Sequence, residues 1–388
     1  MKKILLGLFL FLIVGVLGAE VILPPPIARL PNNTKVKKLV GVHKYRYRGH
    51  ANLAIAPNVV TSPQLRERLP RNDKELKDLN RFHIIVRNTN NKAYQLTKQP
   101  SLRELKRIGR IKKGVVGGFL PGVGNLPQTL PTTDSGPENP KKTIRPIGPI
   151  IIGPVIEPFS DDKSVLGTDT RNRVWANTSY PWRAIGKVGN HCTGALIGPR
   201  HVLTAAHCVY NTSKNQWYSN LNFTPGKNAS SGSQSHPYGV VPWSKVIAKT
   251  GWTVHHNGAY DWAMIVLSQP IGNTVGWFGY GYNYNQTSIN LNTAGYPSDK
   301  PSGTMWHTYC TKNKFYYIFP KVKHRCDTWK GQSGSPMWLY KSPNYRSVRA
   351  VHVNGTGKHY DSSSKRNKAI IINNYVFHTL KRWKQENP

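Results

Sequence analysis

Nine prolines between residues 121 and 158 divide this chain. Proline donates no backbone hydrogen bond and its ring clashes with a preceding helical turn, so that density cannot lie inside a helix or a central strand. The stretch 114–159, where the prolines alternate with Gly and Ile/Val pairs, therefore reads as an extended linker, partly polyproline-II. Compact structure has to lie on either side of it.

On the C-terminal side the texture is all-β. From Ser164 onward, short Val/Ile/Tyr/Trp segments alternate with Gly, Asn, Ser and Pro: Cys192 to Ile197, His201 to Ala205, Trp262 to Leu267, Ser347 to Val353, Ala369 to Ile372. Such spacing predicts a sandwich or a pair of barrels. Asn373 to Lys384 is expected to be a closing helix, with Val376, Leu380 and Trp383 on one face. Lys381, Arg382 and Lys384 then lie where the helix dipole favours cations.

On the N-terminal side, Met1-Lys2-Lys3, an apolar run from Ile4 to Leu17, then Gly18 and Ala19 form a secretory signal pattern, residues 1–19. The run falls short of the roughly 20 residues a spanning helix needs. An exported protein with no membrane partner is expected. Residues 20 to about 114 are basic and polar. Leu65, Leu69, Leu76 and Leu79 predict an amphipathic helix within Pro63 to Arg87, interrupted at Pro70. Ser101 and Glu104 resemble a capping box.

Export implies an oxidising compartment. The four cysteines, Cys192, Cys208, Cys310 and Cys326, then predict two disulfides in one of three connectivities. No C-x-x-C pair and no H-E-x-x-H motif is present, so no metal and no cofactor are expected. The net charge of +37 points to a polyanion contact or an acidic substrate. Lys312 to Lys321 interleaves bases and aromatics, but that pattern reads better as a strand with one solvated face than as a nucleic-acid platform.

Three segments of the β-rich half carry chemistry. In Leu203-Thr-Ala-Ala-His207-Cys208, a histidine follows small residues, and a bond from Cys208 to Cys192 would stiffen its loop. In Tyr260-Asp261-Trp262, a carboxylate precedes an apolar strand, shielded enough to orient an imidazole. It is one of six acidic residues from Ser164 on, and no other adjoins so apolar a run. In Gly331-Gln-Ser333-Gly-Ser-Pro336, glycines flank a serine, which lets the chain turn tightly and expose the hydroxyl. The N–H groups of Gly331 and Ser333 can then converge on one oxyanion. Each segment alone is ambiguous. In the order His, Asp, Ser, 54 and 72 residues apart, they match nucleophilic acyl transfer.

Thr-Ala-Ala-His-Cys at 204–208 and Gly-Gln-Ser-Gly-Ser-Pro at 331–336 resemble the signatures of chymotrypsin-like serine peptidases. The likeness is closer to the bacterial glutamyl endopeptidases and runs across most of residues 164–388, including Ser164 to Asp169, Tyr180 to Ala184, Pro270 to Gly276, Gly295 to Lys300, Cys326 to Thr328 and Val351 to Gly355. The resemblance implies two six-stranded β-barrels with the site between them. It implies His207 as base, Asp261 as its orienter, Ser333 as nucleophile, and Gly331 and Ser333 as the oxyanion hole. It also implies a second disulfide, Cys310 to Cys326, and a mature amino terminus at Ser164, freed by a cut after Lys163. Residues 20–163 would then be a propeptide acting as inhibitor or folding aid, and 164–388 a monomeric peptidase domain.

The family's carboxylate-binding positions fall on Thr328 and His352, with the amine of Ser164 close by, so cleavage after Glu, then Asp, is expected. The alternative is Lys/Arg cleavage, because Asp327 lies six residues before Ser333, where trypsin-like enzymes hold the Asp that binds basic side chains. A third reading is a protease-like polyanion-binding protein, which would not need to keep His207, Asp261 and Ser333 together.

Overall fold

The structure, a computed structural model, describes residues 45–58, 72, 74–75, 82–86, 92–96, 116–119, 121–122, 165–230, 233–283, 288–316, 321–354 and 366–388. The signal pattern at 1–19, the capping box at 101–104, most of the linker and Ser164 lie outside these residues.

Six strands form a first barrel: β1 (Ile185–Val188), β2 (Cys192–Gly198), β3 (His201–Thr204), β4 (Phe223–Pro225), β5 (Trp243–Lys249) and β6 (Ala263–Leu267). They are ordered β4-β1-β2-β3-β6-β5, and a bridge between Phe223 and Val241 brings the two ends together. All five residues of β6, Ala-Met-Ile-Val-Leu, are buried. A continuous apolar run of that kind suits a strand covered on both faces.

A second barrel comprises β7 (Ser288–Gly295), β8 (Trp306–Tyr316), β9 (Lys321–His324), β10 (Pro336–Ser342), β11 (Tyr345–Asn354) and β12 (Asn367–Ile371). Its order is β10-β7-β8-β9-β12-β11, and direct pairing of β10 with β11 closes the ring. Ile289, Leu291, Val322, Met337, Ala350, Ala369 and Ile371 fill its interior. The expected all-β double barrel is therefore what the chain adopts, and the chymotrypsin-like arrangement follows from two closed six-stranded rings in sequence.

A helix, Asn374–Glu386, follows β12 as expected. The Asn373 side chain caps it by accepting from the Val376 N–H at 2.9 Å. Trp383 packs on Trp262 with ring centroids 5.0 Å apart, and Phe377 meets Tyr280 and Tyr282. Lys384 Nζ donates to the Ile197 carbonyl and His201 Nε2 to the Asn387 carbonyl. This helix thus seals the first barrel's outer wall.

One expectation is corrected here. Phe82–Val86, placed in a helix from the leucine spacing of 63–87, is a strand antiparallel to β5, with Ile84 opposite Ile247. Phe-His-Ile-Ile-Val is rich in aromatic and β-branched residues, and the open edge of β5 supplies the hydrogen bonds that extended backbone needs. Val116–Phe119, at the start of the linker, pairs with Gly279–Asn283 as an extended edge strand.

Candidate active site

His207 sits on a single 3₁₀ turn, Ala206–Cys208, directly after β3. Cys208 is bonded to Cys192 at the start of β2, so the turn is fixed to the barrel wall. The ring is 1% exposed. Asp261, equally buried, precedes β6. Its carboxylate accepts from His207 Nδ1 at 2.8 and 3.0 Å and from the His207 backbone N–H at 2.9 Å. A proton on Nδ1 leaves Nε2 as the basic nitrogen. Nε2 is buried and makes no hydrogen bond to another described residue. The expected carboxylate–imidazole pair is thus brought together, with its working nitrogen uncommitted.

Ser333 belongs to the turn between β9 and β10 in the second barrel, and Thr193 on β2 rivets that turn to the first barrel. The Thr193 N–H donates to the Ser333 carbonyl at 2.9 Å. Its hydroxyl donates to the Gly331 carbonyl at 2.8 Å and accepts from the Tyr296 N–H at 3.1 Å. Thr204 Oγ1 donates to the Thr193 carbonyl at 2.8 Å. Gly331 and Gly334 have φ of +92° and +85°, the left-handed region that favours glycine. A Cβ on Gly334 would run into the Thr193 carbonyl and Thr204 Oγ1. The turn therefore lies flush against the segment that bears His207. Neither the Gly331 nor the Ser333 N–H bonds to another described residue. Gln332 Oε1 accepts from the Trp329 N–H at 2.9 Å and braces the turn from within.

The expected pocket residues lie alongside. The Gly334 N–H donates to the His352 carbonyl and the His352 N–H to the Ser335 carbonyl, which sets β11 beside the serine turn. His352 is 2% exposed and Thr328 fully buried. His352 Nδ1 lies 3.1 Å from His324 Nε2 on β9. Burial, then the neighbouring His324 and His207, hold His352 well below the usual histidine range. It is neutral here rather than a standing cation. Burial likewise lowers His324 to about 3. Asn367 Nδ2 donates to Thr328 Oγ1 at 3.1 Å and to the Cys326 carbonyl at 2.8 Å. Cys326 is bonded to Cys310, the second expected disulfide.

Asp327 does not line this pocket as an open carboxylate. It is 2% exposed, and its oxygens accept from the Leu166 N–H at 2.7 Å, the Thr170 N–H at 2.9 Å and the Thr170 hydroxyl at 2.6 Å. Sequence reasoning also passed over Thr193 and His324. Thr193 could have been flagged only by its place next to Cys192. His324 lay hidden in a lysine-rich run, Lys321 to Arg325, whose charge masked an alternation of inward Val322 and His324.

Two closed barrels, a buried His–Asp pair on one, and a serine turn with free amides on the other define a chymotrypsin-like serine endopeptidase. Comparison with known proteins agrees. The trypsin family model matches residues 170–339. The glutamyl endopeptidase of Bacillus licheniformis is 39% identical over 240 residues, covering 60% of this chain and 72% of that protein. A Bacillus subtilis protein named extracellular metalloprotease is 34% identical over 232 residues, 57% of this chain and 69% of its own. A solved Glu endopeptidase in complex with MPD aligns with 57% of this chain and 99% of its own at 26% identity and a TM-score of 0.48. The chain belongs to the trypsin-like serine protease family and hydrolyses peptide bonds in protein substrates.

Among the described residues, the close His/Cys groupings near the site do not suit a metal. The two close His/Cys groupings among the described residues are Cys192, His207, Cys208 and Cys310, His324, Cys326. Each has both sulfurs tied to one another, which leaves a single imidazole. Among the described residues no helix is long and apolar enough to cross a membrane.

Proposed function

We propose that this protein is a secreted zymogen whose mature form, residues 164–388, cleaves after Glu and more slowly after Asp. His207 takes the proton from Ser333 Oγ as the hydroxyl attacks the scissile carbonyl carbon. The tetrahedral oxyanion is held by the Gly331 and Ser333 N–H groups. The C–N bond then breaks as His207 returns that proton to the leaving amine, and water repeats the sequence to release the acid. Asp261 holds the tautomer that leaves Nε2 basic and stabilises the imidazolium. The observation that carries this reading is the carboxylate of Asp261 bonded to both Nδ1 and the backbone of His207, with Nε2 making no hydrogen bond to another described residue.

The preference for Glu rests on three donors: Thr328 Oγ1, His352 and the amine of Ser164. This reading takes the tautomer in which His324 Nε2 donates to His352 Nδ1, 3.1 Å away; the outer nitrogen of His352 then carries a proton and can donate to a substrate carboxylate. A neutral donor suits a side chain that brings its own charge. The name of the Bacillus licheniformis relative supports the same choice. The Lys/Arg alternative loses its main support, since the Asp327 oxygens are already occupied by backbone and hydroxyl donors.

Residues 1–19 act as the export signal, and 20–163 as a propeptide released after Lys163. Its described parts lie on strand edges: Phe82–Val86 on β5, Val116–Phe119 on Gly279–Asn283, and Leu53–Ala54 on Gln216–Tyr218. Ala56 is buried in the main core, and its N–H donates to Asn220 Oδ1 at 2.8 Å. Edge pairing of this kind favours a folding aid over a plug. The mature enzyme works as a monomer, and its basic surface attracts acidic substrates and polyanions.

The test is digestion of a peptide library by protein processed at Lys163, beside a Ser333→Ala control. Cuts after Glu that vanish in the control are expected. Cuts after Lys or Arg would overturn the pocket assignment, and absence of cutting would overturn the enzyme.

A further inference from the structure

We infer that Asp327 is a positioning residue: it clamps the segment Val165–Arg173 behind the specificity pocket and so holds the wall that carries Thr328. The inference rests on the serine-peptidase reading of the turn 326–333, and not on which residue the pocket accepts.

The clamp has three fastenings. At the first, the buried carboxylate of Asp327 receives the Leu166 N–H, the Thr170 N–H and the Thr170 hydroxyl, while Thr170 Oγ1 also lies 2.9 Å from Thr308 Oγ1 on β8. At the second, the Arg171 guanidinium, 1% exposed, bridges two carboxylates: Nη2 lies 2.8 Å from Asp169 Oδ2 and 2.5 Å from Asp299 Oδ2. Lys300 Nζ adds a further contact to Asp169 at 2.8 Å. At the third, Asn172 and Arg173 pair with His307 and Trp306 as an added edge strand on β8.

On the other side, the first two fastenings touch the catalytic turn. Asp327 lies between Cys326, bonded to Cys310, and Thr328. The loop bearing Asp299 reaches the turn through the Ser298 N–H, which donates to the Lys330 carbonyl at 2.7 Å. The Tyr296 carbonyl backs directly onto the Gly331 Cα. A carboxylate with three donors, and no cation against it among the described residues, is a strong but local anchor, because charge-assisted hydrogen bonds are short and directional. Its natural length of reach is one turn of chain, from Thr328 to the segment opposite.

Removing the charge should therefore loosen the pocket wall more than the nucleophile. In Asp327→Asn the amide NH₂ group faces either the Leu166 N–H or the Thr170 donors, so one anchor point becomes repulsive in either orientation. Thr170→Val removes the hydroxyl donor alone and leaves both N–H contacts. The experiment uses mature protein and reads two quantities. One is the ratio of kcat/KM between the P1 residue the wild type prefers and its uncharged or shortened analogue. The other is the rate of inactivation by a small organophosphonate that has no P1 side chain.

Displacement by about 1 Å costs on the order of 100-fold in positioned reactions. Asp327→Asn should accordingly cut the P1 ratio by at least about tenfold through KM, with phosphonate inactivation falling far less. Thr170→Val should shift the ratio in the same direction by a few-fold, and it carries the test if the Asn variant does not fold. A preserved P1 ratio in either folded variant would overturn the clamp, as would parallel loss of both readouts. So would a wild type that cuts after Lys or Arg and loses that cutting in Asp327→Asn. If the wild type prefers some other residue than Glu, only the substrate reading above fails.

Discussion

Gly334→Ala offers a quantitative check on the contact between the serine turn and the first barrel. Two costs combine. An L-residue at φ +85° pays for left-handed backbone, about 1–2 kcal/mol. The new Cβ also presses into the Thr193 carbonyl and Thr204 Oγ1, with the Ala205 N 3.1 Å away. Two of these three neighbours are backbone, so relief requires the turn or β2 to shift. Together these come to roughly 3–5 kcal/mol, in the range of overpacked core sites with backbone strain. A shift of about 1 Å at Ser333 lowers kcat/KM by on the order of 100-fold. Gly239→Ala isolates the first cost, because Gly239 has φ +71° and nothing within 4 Å of its would-be Cβ. Denaturant unfolding and steady-state kinetics on both variants make the assay. Gly239→Ala should lose about 1–2 kcal/mol with unchanged kcat/KM. If Gly334→Ala loses no more stability than Gly239→Ala and stays within about threefold of wild-type kcat/KM, the argument from close packing is wrong.

Trp383→Ala should cost about 3–5 kcal/mol, because it empties a buried indole site against Trp262; a midpoint shift in denaturant worth under about 1 kcal/mol would show that the helix adds little. Stability should also fall with acid. Burial lowers His191 and His201 to about 4 and His324 to about 3. Their folded-state values lie below the unfolded 6.5, so the folded protein binds fewer protons. Stability is therefore full above pH 6.5 and drains as pH falls from there towards 4, on the order of 3 kcal/mol for each group. Thermal unfolding at pH 7, 5.5 and 4.5 should show a steady decline, and a flat midpoint across that range would refute it.

The chemistry was the legible part of the sequence. His207, Asp261 and Ser333 stand in short motifs whose small neighbours and glycines have local reasons, and the terminal helix announced itself by Val376, Leu380 and Trp383. What pairs across the barrels left no local trace. Thr193 is an ordinary strand threonine until β2 meets the serine turn. Asp327 invited a reading as a pocket acid, because the donors that occupy it come from Leu166 and Thr170, more than 150 residues away. Phe82–Val86 was misread because leucine spacing upstream favoured a helix, whereas the deciding partner, β5, lies far along the chain.

The helix Asn374–Glu386 has a consequence in time. It belongs to sequence that follows both barrels, yet its Trp383 and Lys384 finish the wall formed by β2 and the strand after Asp261. The first barrel's own residues run out at Leu267, more than a hundred positions earlier. A chain emerging amino end first therefore cannot complete that barrel when its last strand appears. Trp262 stays uncovered until residue 383 arrives. The first barrel's wall is therefore finished only after the second barrel's last strand, Asn367–Ile371, has been made.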